Sequence, residues 1–127
     1  MENDKKAPIN KSFGYAFDGI MICISKERNM KIHCIMAILV IAAGTLLHIS
    51  AVEWCICLIL FGLVMALELV NTAIEATVDL VTEERKPLAK VAKDTAAGAV
   101  LIASIMAAIA GLVIFVPKGL AFLGIAL

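Results

Sequence analysis

WCICLILFGLVMALELVNTAIEATVD, residues 54 to 79, decides how this chain is built. From Trp54 to Leu67 no side chain carries a charge or an amide, and then Glu68, Asn71, Glu75 and Asp79 follow in quick succession. On a helix these four positions point within about 80° of one another, so they share a face. A helix that starts near Trp54 crosses a ~30 Å hydrocarbon layer in about 20 residues and reaches the far boundary near Ile74. Glu68 then stops roughly 9 Å short of that boundary, and Glu75 and Asp79 emerge at the surface. A carboxylate at such depth costs about 2.5–3.5 kcal/mol unless it is paired, protonated or wetted. Two readings stay open: hydrogen-bonding glue between helices, or a functional site. Several acceptors on one face repel one another and call for cations close by. Lys93, Arg28, Lys31 and a bound divalent ion are the candidates.

The rest of the 127-residue chain fits a single membrane domain. Apolar residues make up 62% of it, against about 45–50% in soluble domains, and the mean hydropathy is +1.00. The expected fold is all-α and integral to the membrane, with spans over residues 32–50, 54–80 and 95–116. Lysine and arginine number 11 and so do aspartate and glutamate, which removes the basic field that a nucleic-acid partner would need. The four cysteines, Cys23, Cys34, Cys55 and Cys57, form no C-x-x-C pair and read as small hydrophobes rather than a disulfide or metal set. The opening MENDKKAPINKS leads into no cleavable apolar core, so no removed signal peptide is expected.

Phe13, Phe17, Ile20 and Ile24 recur at helical spacing while Lys11, Asp18 and Ser25 fall opposite. That pattern predicts an amphipathic surface helix over residues 9–28, lying in the membrane interface or packed as a cap on the spans. Basic residues give the orientation. Lys5, Lys6, Lys11, Lys26, Arg28 and Lys31 precede the first span, Arg85, Lys86, Lys90 and Lys93 lie between the second and third, and Lys118 stands alone near the end. The positive-inside rule then puts the N-terminus and the second loop in the cytoplasm of a multi-pass plasma-membrane protein, with Trp54 at the outer interface. Pro87 suits a helix start, and Ala99, Ala103, Ala107 and Gly111 form a small-residue ridge for close helix approach.

Carboxylates, an amide and a lysine at the cytoplasmic boundary, with Mg²⁺ on hard oxygen ligands, are the parts of a phosphoryl-transfer site between a soluble nucleotide and a membrane lipid. Known nucleotide loops are absent: Gly14 to Gly19 imitates the start of a phosphate-binding loop, but Ile20 and Met21 stand where lysine and serine or threonine are required. His33 and His48 lie alone near the ends of the first span and read as interfacial or packing residues.

ELVNTAIEATVD, followed by AKDTAAGAVLIA, resembles the prokaryotic diacylglycerol kinases over nearly the whole chain. KERNMKIH and VDLVTEERKPLAKVAKD are similar to the Gram-positive branch, whose members phosphorylate undecaprenol. The resemblance implies a homotrimer of three-span protomers with a surface helix each and active sites shared between neighbours. It implies ATP as donor, Mg²⁺ as cofactor and a lipid alcohol as acceptor, either undecaprenol or diacylglycerol, the latter giving phosphatidic acid. By the same resemblance Glu68 is the general base, Glu27 and Glu75 hold metal, and Asn71 orients the substrate or phosphate. Lys93 neutralises charge on the moving phosphoryl, Asp94 positions the nucleotide or the lysine, Tyr15 joins the nucleotide site, and Asp79 takes a supporting structural part.

Two readings of another class compete with the kinase. An ion or proton pathway would spread carboxylates over the full depth of the span, whereas here they gather at one end. A non-enzymatic assembly protein would use the acidic face to bind a partner, which leaves Lys93 and Asp94 without a reason.

Overall fold

A computed structural model of the chain describes residues 7–125; Lys5 and Lys6, counted above for orientation, lie outside the described residues. Among those described there are four helices: α1 (Ile9–Lys26), α2 (Arg28–Leu46), α3 (Ala51–Val81) and α4 (Pro87–Phe122). Three of them, α2, α3 and α4, are long and apolar enough to cross a membrane, and the chain is a multi-pass membrane protein.

α1 and α2 meet at an elbow one residue long. Glu27 is extended, at φ −91° and ψ 120°, and separates α1 from α2 while its N–H still donates to the Cys23 carbonyl at 2.9 Å. α2 therefore begins at Arg28, four residues before the expected span, and ends at Leu46 rather than Ser50. Its end is a Schellman closure: the Ile49 N–H reaches the Gly44 carbonyl at 3.1 Å and the His48 N–H reaches Thr45 at 3.4 Å. His48 supplies the left-handed residue, with φ 52°. The same closure ends α4, where Gly124 has φ 73° and the Ile125 N–H donates to the Leu120 carbonyl at 2.9 Å.

α3 opens with a capping box. The Ser50 hydroxyl accepts from the Glu53 N–H at 3.2 Å while the Ser50 N–H donates to Glu53 Oε2 at 2.7 Å. That carboxylate also meets Lys118 Nζ at 3.4 Å and so ties the start of α3 to the end of α4. With 31 residues, α3 is about 46 Å long and overshoots the hydrocarbon layer. Pro87 is the first residue of α4, where its missing N–H costs nothing.

α3 packs most extensively on α4, with α2 against α3 and α1 against both α2 and α3. Ile49, Cys57 and Ile114 form the apolar core, with Val40, Leu47, Trp54, Phe61 and Phe115 around them. The small-residue ridge of α4 does not run as expected: Ala99 is exposed, and the buried line is Ala96, Val100, Ala103 and Ile114. A strict four-residue step drifts around a helix of 3.6 residues per turn, and the packed face follows the helix. Ile38, Leu39, Ile59, Leu63, Ile102 and Val113 stay exposed and give the bundle its lipid-facing surface.

The α2–α3 hairpin is closed by a tight contact. A Cβ added at Gly44 would stand 2.8 Å from the Trp54 ring. Gly44→Ala is therefore expected to lower stability by about 1–3 kcal/mol, measured by unfolding in detergent micelles. A variant as stable as the parent would mean that the hairpin packs otherwise.

Candidate active site

The site grows out of the packing stripe of α3. Cys57, Val64, Glu68 and Asn71 are its buried residues, and their spacing is that of one helix face turned to the other helices. Along that face the apolar side chains stop at Val64 and polar ones take over. Glu68 is 2% exposed and Asn71 7%, and these are the buried polar side chains of the described residues. Measured from Ala51, Glu68 lies about 26 Å along α3, so it is still inside a ~30 Å apolar layer.

The polar stripe is incompletely satisfied. Asn71 Nδ2 donates to Glu75 Oε1 at 3.3 Å. Glu68 Oε2 and Asn71 Oδ1 find no hydrogen-bond partner among the described residues. Glu27, at the α1–α2 elbow, and Glu75, two turns along α3, are the carboxylates within electrostatic reach of Glu68. Three acidic groups from two parts of the chain thus lie toward one end of the bundle, and among the described residues they do not close into a metal cage. Glue would be bonded across a helix interface, and among the described residues the Glu68 Oε2 oxygen has no such bond.

The cations stand further out. Lys93 Nζ bonds Asp79 Oδ1 at 2.5 Å and bridges α3 to α4 across their turn, while Lys90 pairs with Asp94 one turn apart on α4. Asp94 therefore engages Lys90 rather than Lys93, and Lys93 faces Asp79 rather than Glu68. Both pairs are well exposed, and each is worth no more than about 1 kcal/mol, so either lysine is easily released to another anion. Between α3 and α4 a half-open cavity of about 660 Å³ carries both signs of charge, Arg85, Lys86, Lys90 and Lys93 against Asp79, Glu83 and Glu84. Tyr15 lies on the exposed face of α1, 63% accessible.

Among the described residues no group of three histidine, cysteine or carboxylate side chains is arranged to cage a metal. Two carboxylates are enough for Mg²⁺, which keeps several waters and completes its shell with phosphate oxygens. Glu75, bonded to Asn71, and Glu27, within electrostatic reach of Glu68, are hard oxygen donors of the kind that would suit it.

Sequence reading missed the side chains that support Glu68. Thr72 Oγ1 donates to the Glu68 carbonyl at 3.0 Å, and the buried Cys23 thiol of α1 lies 3.4 Å from the same hydroxyl. A threonine four residues after Glu68 was the available signal, since mid-helix hydroxyls bond back one turn. Cys23 shows its role only once α1 is folded against α3.

The sequence model of the prokaryotic diacylglycerol kinase family matches residues 14–115. The chain belongs to the prokaryotic diacylglycerol kinase family. It is therefore a lipid kinase, and membership implies ATP as phosphoryl donor. The undecaprenol kinase of Bacillus subtilis (strain 168) is 48% identical over 108 residues, 85% of this chain and 88% of that one. A diacylglycerol kinase from Synechocystis is 45% identical over 84% of this chain and 61% of its own length. The diacylglycerol kinase of Escherichia coli (strain K12) is 33% identical over 80% of this chain and 83% of its own.

The unpartnered carboxylate gives a stability prediction. Glu68→Leu removes a buried polar group that has no partner among the described residues, so it is expected to raise stability by about 1–3 kcal/mol in micelle unfolding. A fall of similar size would mean that the side chain holds helices together.

Proposed function

We propose that this protein transfers the γ-phosphoryl of ATP to the hydroxyl of undecaprenol at the cytoplasmic face of the membrane. The observation that carries the reading is the buried Glu68 oxygen without a partner, with Glu27 and Glu75 beside it, in a chain of this family. Undecaprenol is favoured because, of the three relatives above, the undecaprenol kinase matches at the highest identity and along most of both chains. The two other relatives carry the alternative acceptor, diacylglycerol.

In this reading Glu68 accepts the proton of the lipid hydroxyl as that oxygen attacks the γ-phosphorus and the bond to the β-phosphate oxygen breaks. Glu27 and Glu75 hold the divalent ion, which when bound offsets phosphate charge. Asn71 turns its amide toward a phosphate or the lipid hydroxyl. Lys93 leaves Asp79 for the phosphoryl oxygens, Asp94 fixes the α4 end of the nucleotide site, and Tyr15 covers the nucleotide from α1. Water is kept from Glu68 by the burial already described, which strengthens each of these contacts.

The cytoplasmic assignment rests on Lys26, Arg28 and Lys31 at the elbow and Arg85, Lys86, Lys90 and Lys93 at the α3–α4 turn, against Lys118 at the other end. α1 then lies in that interface, with Phe13 and Phe17 exposed for lipid. An open apolar groove of about 580 Å³ between α2, α3 and α4, lined by Met36, Phe61, Met65 and Phe115 among others, suits the chain of the lipid acceptor, and a homotrimer in which neighbours complete each site is the part of this reading that the family resemblance suggests.

Purified protein given labelled ATP and Mg²⁺ is expected to label undecaprenol in preference to diacylglycerol when both compete. No transfer to either lipid, or preference for diacylglycerol, would contradict the proposal. Glu75→Gln is expected to raise the Kd for ATP roughly tenfold with Mg²⁺ present and little without it, by nucleotide titration. A Kd with Mg²⁺ present equal to that of the parent would remove Glu75 from the metal site.

A further inference from the structure

Cys23, Met30 and Glu68 are the most completely buried large side chains of the described residues, at 1%, 1% and 2% exposure. Two of them flank the Glu27 elbow, Cys23 on α1 and Met30 on α2. Cys23 is the one buried residue of α1, and from Ile9 to Ile22 every α1 residue is exposed. The surface helix is thus fastened to the bundle at its last turn.

The hydrogen-bond direction at that point follows from counting protons. Thr72 Oγ1 has a single hydrogen, and it is directed at the Glu68 carbonyl at 3.0 Å. Cys23 Sγ lies 3.4 Å from Thr72 Oγ1, so the thiol must be the donor and the threonine oxygen the acceptor. A short relay results, from Cys23 S–H to Thr72 Oγ1–H to the main-chain carbonyl of Glu68. It joins α1 to the turn of α3 that bears Glu68.

We propose that Cys23, acting through Thr72, is a positioning residue of the kinase site that seats the elbow so that Glu27 faces Glu68. The inference rests on the reading of Glu68 as base and Glu27 as metal ligand. Cys23 touches neither substrate nor metal; it fixes where Glu27 stands. Without the thiol donor, α1 has no side-chain hydrogen bond to α3 among the described residues, and the place of the elbow on α3 rests on apolar packing alone.

The test is a kinetic cycle of Cys23→Ala, Thr72→Val and the double variant, with Cys23→Ser as the conservative replacement. Cys23→Ala is expected to lower kcat/KM roughly 2- to 10-fold, chiefly through a higher KM for Mg-ATP. The double variant should be no worse than the weaker single, and Cys23→Ser, which keeps a donor, should retain at least about half of the activity. Additive losses, or Cys23→Ala equal to the parent, would overturn the proposal. A readout independent of catalysis covers variants that fold poorly. With Cys34, Cys55 and Cys57 replaced by alanine, Thr72→Val should speed maleimide capture of Cys23 several-fold, by about the strength of one hydrogen bond. An unchanged rate would also overturn it. Labelling in Glu68→Gln separates the two ideas: loss of transfer there tests the base, whereas slow capture of Cys23 there tests the tie alone.

Discussion

A carboxylic acid placed on the packing face of a membrane helix is the constraint to which the rest of this molecule answers. Glu68 continues the line of Cys57 and Val64, so it is directed at other helices rather than at lipid or water. Burial of that group is unfavourable by a few kcal/mol, and nothing among the described residues bonds its Oε2. Stability has to come from elsewhere, and it comes from the other half of the bundle. There Ile49, Cys57 and Ile114 pack with their neighbours, and Glu53 links Ser50 and Lys118. The two halves differ: one end packs, and the other holds a buried carboxylate oxygen with no partner among the described residues.

The same division puts two solvents on either side of Glu68. Toward the α3–α4 turn lies a cavity of mixed charge, with Arg85, Lys86, Lys90 and Lys93 beside Asp79, Glu83 and Glu84, where a phosphate would have to take the cations from their carboxylate partners. Toward the membrane centre, Phe61, Val64 and Met65 on the Glu68 face line an apolar groove. A lipid alcohol with its chain in the groove and its hydroxyl at Glu68 would meet a nucleotide arriving from the side of the turn. In the proposed reaction this geometry does the work that a closing lid does in soluble kinases, because the membrane already excludes water. Catalytic machinery made of a few side chains on a small bundle is then sufficient.

Most of the architecture was legible in the sequence because its signals are local. Apolar length marks helices, Pro87 marks a start, and the heptad-like recurrence of Glu68, Asn71 and Glu75 marks a face. The family was legible for the same reason, since ELVNTAIEATVD and AKDTAAGAVLIA are contiguous. What escaped depends on contacts between distant segments. Lys93 bonds Asp79 across the α3–α4 turn, which no local spacing rule foresees, whereas Lys90 with Asp94 is an i,i+4 pair that helical spacing already offered. Ala99 shared a ridge with Ala103 on paper, but the rotation of α4 against α3 turns it outward. Cys23 looked like any small hydrophobe, and only the approach of α1 to Thr72 gives its thiol a partner.

The central claim is that Glu68 is buried for proton transfer and not for assembly, and one preparation tests it. Glu68→Gln keeps the shape of the side chain and removes its basicity, so unfolding and phosphoryl transfer can be measured on the same purified sample. The account predicts a protein at least as stable as the parent that binds Mg-ATP yet passes no label to lipid. Transfer at the parent rate by that variant would contradict it outright.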